Sequence, residues 1–437
     1  METKDSFVEW FRSSAPYIHA HRGRTFVIVF GGELLKSEAL KSFAHDVALL
    51  QSLGIRIVLV AGARPQIDER IVRGGKKAVF HKGLRVTDDF AMSCVKEAAG
   101  TNRVELEAVL SMGLPNSPMA GARIRVATGN FVTARPVGVI EGVDYQHTGE
   151  VRRVDAEAMK SLLDDGFVAV LTSIGYSMTG DAFNTSTPDV AAAAAIALKA
   201  DKLVCLYEGK PLADAQGAGI HELTPAGAEG LLAKKSGLTN DQRRYVESAI
   251  RACRHGVRRA HLVPRKLDGG LLRELFSRDG IGTLVTGEIF EGVRPGSSAD
   301  VPGLLELLEP LEAEGILVRR PREMLERDIH RFIVIERDGM IVGCCALIPY
   351  PDEGIAELAA VAVHPTYRHH GRADQLLQYV EKQCRDQGLR RVFVLTTQTS
   401  HWFQERGFVP ASVKELPADK RSKYDPQRRS KVLVKQL

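Results

Sequence analysis

At 437 residues the chain is too long for one hydrophobic core of ordinary size, so two or three domains are expected. Its composition, 44% hydrophobic and 26% charged with no apolar run of membrane-spanning length, is that of a soluble globular protein and excludes a membrane span. A net charge of +5 suits anionic small ligands as readily as nucleic acid, and no repeat or basic low-complexity tail favours the latter, while six scattered cysteines without a C-x-x-C pair argue against a metal site and for reduced thiols.

The polar N-terminus, Met1 to Glu9, lacks a secretory pattern, which points to the cytoplasm. Residues 1–22 read as a helix broken near Pro16 and carrying Phe7, Trp10, Phe11 and Tyr17. That aromatic stripe has no domain of its own to pack on, so a homo-oligomer is expected. Thr25–Phe30 reads as a strand ending in Gly31-Gly32, about Ser37–Leu53 as a helix, and Ile55–Val60 as a second strand, whose turn Gly62-Ala63-Arg64-Pro65 leads into another helix. Strands separated by helices predict βαβ units, an α/β fold with a mostly parallel sheet, and ligands at the strand ends where these glycine turns fall.

Further landmarks are Gly83-Leu84-Arg85-Val86-Thr87-Asp88, Gly129-Asn130-Phe131, Asn184 with Asp189 before an Ala-rich helix, Ala200-Asp201-Lys202-Leu203, Glu274-Leu275-Phe276 and Gly280-Ile281-Gly282-Thr283. In this order, over about residues 20–285, they resemble the amino acid kinase family, specifically its acetylglutamate kinase branch. The departures from that family bear on phosphoryl transfer, which depends on positioning and charge. Val29 stands where the kinases place a phosphate-holding lysine, and in Ala61-Gly62-Ala63-Arg64-Pro65 side chains replace two glycines of the loop that holds their acylated substrate. Glu208-Gly209 follows the strand Leu203–Tyr207 without the expected Asp. The domain reads as a kinase fold that has lost its reaction. In relatives that respond to arginine, the effector lies between the N-terminal helix and the end of this domain. The matching positions here are Tyr17, His261, Glu274 and Gly282, so the resemblance implies feedback inhibition by L-arginine. Taken singly, Tyr17 also reads as packing, His261 as a satisfied core histidine and Glu274 as a solvated helix residue.

Glu288 to Asp300 shifts to Gly, Pro and Ser. Residues 291–298 therefore read as a linker between a domain over 1–290 and another over 299–437. The second begins with a helix from Asp300 to Glu314 and another over Arg322–His330. Strands Phe332–Arg337 and Met340–Ile348 follow, joined by an Asp338-Gly339 hairpin. Leu358–Val363 is a buried strand with Glu357 at its start. His364-Pro365 ends it, and Arg368-His369-His370-Gly371-Arg372-Ala373 leads into a helix with Leu376, Leu377 and Val380 on one face. Strand, glycine loop and helix start aim backbone N–H groups and a helix dipole at one point, a geometry that suits phosphate, and Arg368 and Arg372 add charge to it. An ordinary turn with two solvated arginines would look the same. The strand Val392–Thr396, a short helix around Trp402 and a final strand Lys431–Val434 complete the chain.

Arg368-x-x-Gly371-x-Ala373 after an acid-led strand, with His401-Trp402-Phe403-Gln404-Glu405-Arg406-Gly407-Phe408 behind it, resembles the acetyl-CoA signature of the GNAT N-acetyltransferases. That likeness implies an α+β acyltransferase domain using acetyl-CoA and no metal. Gly315–Glu323 and Arg428-Arg429-Ser430-Lys431-Val432-Leu433 extend the resemblance, over nearly the full chain, to the bacterial N-acetylglutamate synthase family. It implies acetyl transfer to the α-amino group of L-glutamate, the first step of arginine biosynthesis, with Arg320 and Arg428 facing the substrate carboxylates and Ser430 supplying a hydroxyl. Two fixed cations suit a dianionic amino acid, although Arg319-Arg320 also reads as a solvated turn and Arg428-Arg429 as a basic tail. An amino group is mostly protonated at neutral pH, so a base is needed. Glu357 is assigned that role, with a surface carboxylate at a strand end as the alternative. The coenzyme contacts expected are Val361, Ala362 and Val363 through backbone, then Arg368, His369, His370, Gly371, Arg372 and Ala373. Thr396 is a candidate acid toward the leaving thiolate, and Cys344-Cys345 read as packing rather than as an acyl carrier. Competing readings are an acetylglutamate-type kinase with an accessory GNAT domain, a non-catalytic arginine sensor, and a basic binding module over Lys420–Lys435.

Overall fold

A computed structural model describes residues 6–113, 117–214, 217–233, 237–287, 291–337, 339–368 and 371–437. The chain forms two compact units, Met1–Glu288 and Ile289–Leu437.

The first unit is built on an eight-stranded sheet with Thr25–Phe30 near its centre, between Lys202–Tyr207 and Arg56–Ala61. All neighbouring strands are parallel except Arg259–Pro264 against Thr283–Thr286. Every residue of Thr25–Phe30 is buried. Val27 and Val29 pack toward the Ala-rich helix Thr187–Leu198, whereas Phe26, Ile28 and Phe30 pack toward Ala39–Ser52. Side chains alternate across a strand, so a continuous apolar run serves a sheet covered on both faces. Burial of each such side chain contributes roughly 1.5–3 kcal/mol.

Pro16 does not break the N-terminal helix, which runs unbroken from Ser6 to His21. Proline costs one intrahelical bond and strains the turn before it. Tertiary contacts offset that cost: Ser14 donates to the Phe276 carbonyl at 3.1 Å, and the His21 ring bonds the Leu275 carbonyl at 2.7 Å. Phe7 carries no described side-chain placement, and Trp10 and Phe11 are exposed.

The second unit holds a seven-stranded sheet with two helices, Val301–Ala313 and Arg322–Asp328, ahead of its main strands. The expected linker over 291–298 is corrected here. Glu291–Pro295 is an antiparallel edge strand paired with Phe332–Arg337. Pro295 is tolerated because it ends an edge strand, and Arg294 pins the segment by a two-pronged bond to Asp300, 2.7 Å on each arm, plus Glu336 at 2.6 Å. Gly339, at φ 77°, occupies the left-handed region needed to turn into Met340–Tyr350, while Asp338 lies outside the described residues. Among the described residues no helix is long and apolar enough to cross a membrane.

Candidate active site

Ile355–Val363 is the central strand of the second sheet, and its two edges behave differently. Toward Met340–Tyr350 the antiparallel ladder continues as far as Gly343↔Val363, with a shift of register near Cys344. Across from that shift Ala360 adopts φ 50°, as a bulged residue does. Toward Arg391–Thr396 the parallel ladder stops at Glu357↔Phe393. The strands part beyond Glu357 and leave backbone polar groups for a ligand to satisfy.

A cleft of about 620 Å³ opens there, lined by Val361, Ala362, Val363, Arg368, Gly371 and Ala373 among others. Six of the nine expected coenzyme contacts therefore share one cavity, while His369 and His370 lie outside the described residues. Gly371 caps the helix Arg372–Asp386 at φ 73°, a conformation costly for a side-chain-bearing residue. Arg368 is exposed and bonds the Val363 carbonyl at 3.3 Å. Arg372 departs from expectation. Its guanidinium is buried beside the Tyr367 ring and donates to the Tyr367 carbonyl at 3.0 Å, so it braces the loop instead of adding an exposed cation. The opposite wall carries Gln398, Thr399, Trp402 and Arg406, and Arg406 stacks on Trp402 at 4.0 Å while gripping Asp374. None of these wall residues was expected as a ligand contact from the sequence, although Trp402 and Arg406 lie in the segment quoted for the resemblance.

Glu357 is not a surface carboxylate, being 3% exposed. Its Oε1 meets the Lys420 ammonium at 2.6 Å, and its buried Oε2 has no hydrogen-bond partner among the described residues. Lys420, read only as part of a basic segment, is the residue the sequence analysis missed here. Arg320 is half-buried; burial lowers it from arginine's ordinary range, and Glu312, Glu357 and Arg428 are among the charges it feels. Arg428 reaches the Ile316 carbonyl at 3.3 Å, so it is no frayed tail, and Ser430 is half-buried with its carbonyl held by Tyr424. The Thr396 hydroxyl pairs with the Thr399 hydroxyl at 3.0 Å and accepts from the Thr399 N–H, so it reaches the cleft wall only through Thr399. Cys344 and Cys345 are buried, and burial raises both thiols.

In the first unit, His261, Glu274 and Gly282 form one cluster. His261 Nδ1 donates to Glu274 Oε1 at 2.7 Å, and Oε2 accepts from the N–H groups of Ile281 and Gly282 at 2.7 and 2.8 Å. A Cβ on Gly282 would sit 2.4 Å from the Leu262 carbonyl oxygen, so only glycine fits. Lys202, not singled out as an effector position, donates to His261 Nε2 at 3.0 Å. Burial, reinforced by Lys202, lowers His261 to about 4, so the ring is neutral at pH 7. Burial alone would raise Glu274, yet the His261 bond and the two backbone amides outweigh it and hold the carboxylate ionised, at about 2. Glu274 is thus buried and bonded on both oxygens, not solvated. Tyr17 stands beside this cluster, its ring centroid 6.3 Å from that of His21, which bonds the Leu275 carbonyl next to Glu274.

A separate cleft of about 280 Å³ in this unit is lined by Gly31, Gly32, Gly62, Ala63, Arg64, Arg85 and Asn184. Val29 is wholly buried.

Residues 24–264 match the Amino acid kinase family and residues 302–408 the Acetyltransferase (GNAT) family. The chain is 50% identical to an amino-acid acetyltransferase of Pseudomonas fluorescens, covering 99% of each chain. It is equally identical to one of Ralstonia nicotianae, covering 99% and 96%. Among solved structures it resembles N-acetylglutamate synthase from Neisseria gonorrhoeae complexed with coenzyme A and L-arginine, at TM-score 0.88 and 37% identity over 99% of this chain and 100% of that one. The same enzyme complexed with coenzyme A and N-acetyl-glutamate matches at TM-score 0.63 and 38% identity, with the same coverage. With an amino acid kinase family region followed by a GNAT region, the chain belongs to the amino-acid acetyltransferase family.

Proposed function

We propose that the protein transfers the acetyl group of acetyl-CoA to the α-amino group of L-glutamate, giving N-acetyl-L-glutamate and CoA, and that L-arginine inhibits it. The observation that carries this reading is the parting of two strands just beyond the buried Glu357, with a cleft lined by the open backbone edge of Val361–Val363 and the glycine-capped start of a helix. Acetyl-CoA lies in that cleft, its pyrophosphate on the Gly371 loop and the N-terminus of Arg372–Asp386. The N–H groups near Val361 and Val363 polarise the thioester carbonyl. Arg320, Arg428 and Ser430 hold the glutamate carboxylates. Glu357 accepts the proton of the attacking ammonium through Oε2, directly or through a water. Thr396, acting through Thr399, is the candidate donor to the departing thiolate.

The first unit serves as a regulator that no longer moves phosphate, in line with the apolar Val29. L-arginine binds at Tyr17, His261, Glu274 and Gly282, where Glu274 has spent three of about four acceptor sites and offers a fixed negative charge to a guanidinium. The exposed Trp10 and Phe11 of the N-terminal helix suit contact with another copy, and the enzyme works in the cytoplasm. Thiol release from acetyl-CoA tests the reading: L-glutamate should elicit it and L-arginine suppress it. ADP formation from ATP and N-acetylglutamate, without glutamate-dependent thiol release, would replace it with the kinase reading.

A further inference from the structure

We infer that Lys420 is a positioning residue for acyl transfer, anchoring one oxygen of Glu357 so that the other is left as the proton acceptor. The inference rests on the reading of Glu357 as general base.

Lys420 lies on the short helix Ala418–Ser422, in the segment that continues to Arg428 and Ser430. Its side chain is 26% exposed and its Nζ stands 2.6 Å from Glu357 Oε1. Three elements turn ionisable groups toward Glu357. These are the helix bearing Lys420, the stretch before Arg322–Asp328 bearing Arg320, and the strand Met340–Tyr350, whose Tyr350 feels both Glu357 and Asp419. Among the described residues, only Lys420 forms an ion pair with it.

A buried carboxylate stays ionised only beside a compensating charge. An ion pair kept for stability alone would use both oxygens, because a buried acceptor left unsatisfied is destabilising. Here Oε2 is buried and unbonded while Oε1 is tied. The pair thus fixes the carboxylate's rotation and leaves one acceptor site unspent. A carboxylate free to turn would present that site only part of the time, which lowers turnover without weakening coenzyme binding.

The test measures kcat, both KM values and coenzyme A binding in the full chain for K420M, K420Q, K420R, E357Q and E357Q/K420M. K420M and K420Q should lower kcat about 10- to 100-fold with the acetyl-CoA KM within about twofold, and K420R should recover most of the loss. K420M should do nothing further in the E357Q background, because Lys420 acts through Glu357. The inference is overturned if K420M and K420Q keep kcat, if both lose coenzyme binding, or if the two effects multiply in the double variant. An active E357Q would instead remove the base assignment on which it rests.

Discussion

Each unit buries a glutamate beside basic side chains, and the two carboxylates are wired differently. Glu274 gives Oε1 to His261 and Oε2 to two backbone amides, within loops so tight that Gly280 and Gly282 could not carry a Cβ without striking Glu274 or the Leu262 carbonyl. Glu357 gives only Oε1, to Lys420, and keeps Oε2 buried and unbonded. A carboxylate bonded on both oxygens holds its charge and is poorly placed to take a proton; one bonded on a single oxygen retains the capacity to accept one. On the proposed function, the contrast suits ligand recognition at the first and proton transfer at the second.

The largest effect that would break this comparison is E357Q. It should lower glutamate-dependent turnover by about 10²- to 10⁴-fold while coenzyme A affinity, measured by calorimetry, stays within a few-fold. An unchanged rate would mean that Glu357 is not the base. Next, R320A and R428A should each raise the glutamate KM by roughly 10- to 100-fold, the worth of a charged hydrogen bond, with acetyl-CoA KM little changed. A rise confined to the acetyl-CoA KM would move both residues to the coenzyme side.

The wiring of the first unit sets a pH dependence of stability. His21 and His261 are lowered to about 4 by burial and Lys202, so between pH 6.5 and 4 the unfolded chain binds protons that the folded one refuses. Stability is therefore lost as pH falls through that window, by roughly 3 kcal/mol for each histidine at its end. Glu274, held near 2, adds a further loss as pH falls from about 4.5 toward 2. Thermal unfolding of the first unit's transition should fall steadily from pH 7 to 4, and a flat profile would contradict neutral buried rings. The smallest effect is G371A. Among the described residues no neighbour lies within 4 Å of the added Cβ, so the positive φ is what opposes it, at about 1–2 kcal/mol. Acetyl-CoA affinity should weaken by about tenfold or less.

Much of this was legible in the sequence because the signals were local. Apolar runs marked the strands, and Arg368-x-x-Gly371-x-Ala373 packed its residues into one turn, where a single cleft gathers most of them. The resemblance-based positions His261, Glu274 and Gly282 also meet, although Lys202 beside them went unassigned. What the sequence hid is pairing at long range. Nothing around Lys420 distinguishes it from a solvated lysine until the helix Ala418–Ser422 folds against Glu357. The edge strand Glu291–Pro295 was masked by linker-like composition, because what makes it a strand is the partner Phe332–Arg337. Arg372 read as a phosphate cation because pattern alone does not reveal that Tyr367 takes its guanidinium.

The division of labour between the two carboxylates is tested most directly by E274Q, assayed for glutamate-dependent thiol release across a titration of L-arginine. The account predicts turnover within a few-fold of the parent and a response to arginine that is abolished or shifted by at least tenfold, since a neutral amide cannot balance a guanidinium. Loss of turnover with arginine sensitivity retained would contradict it.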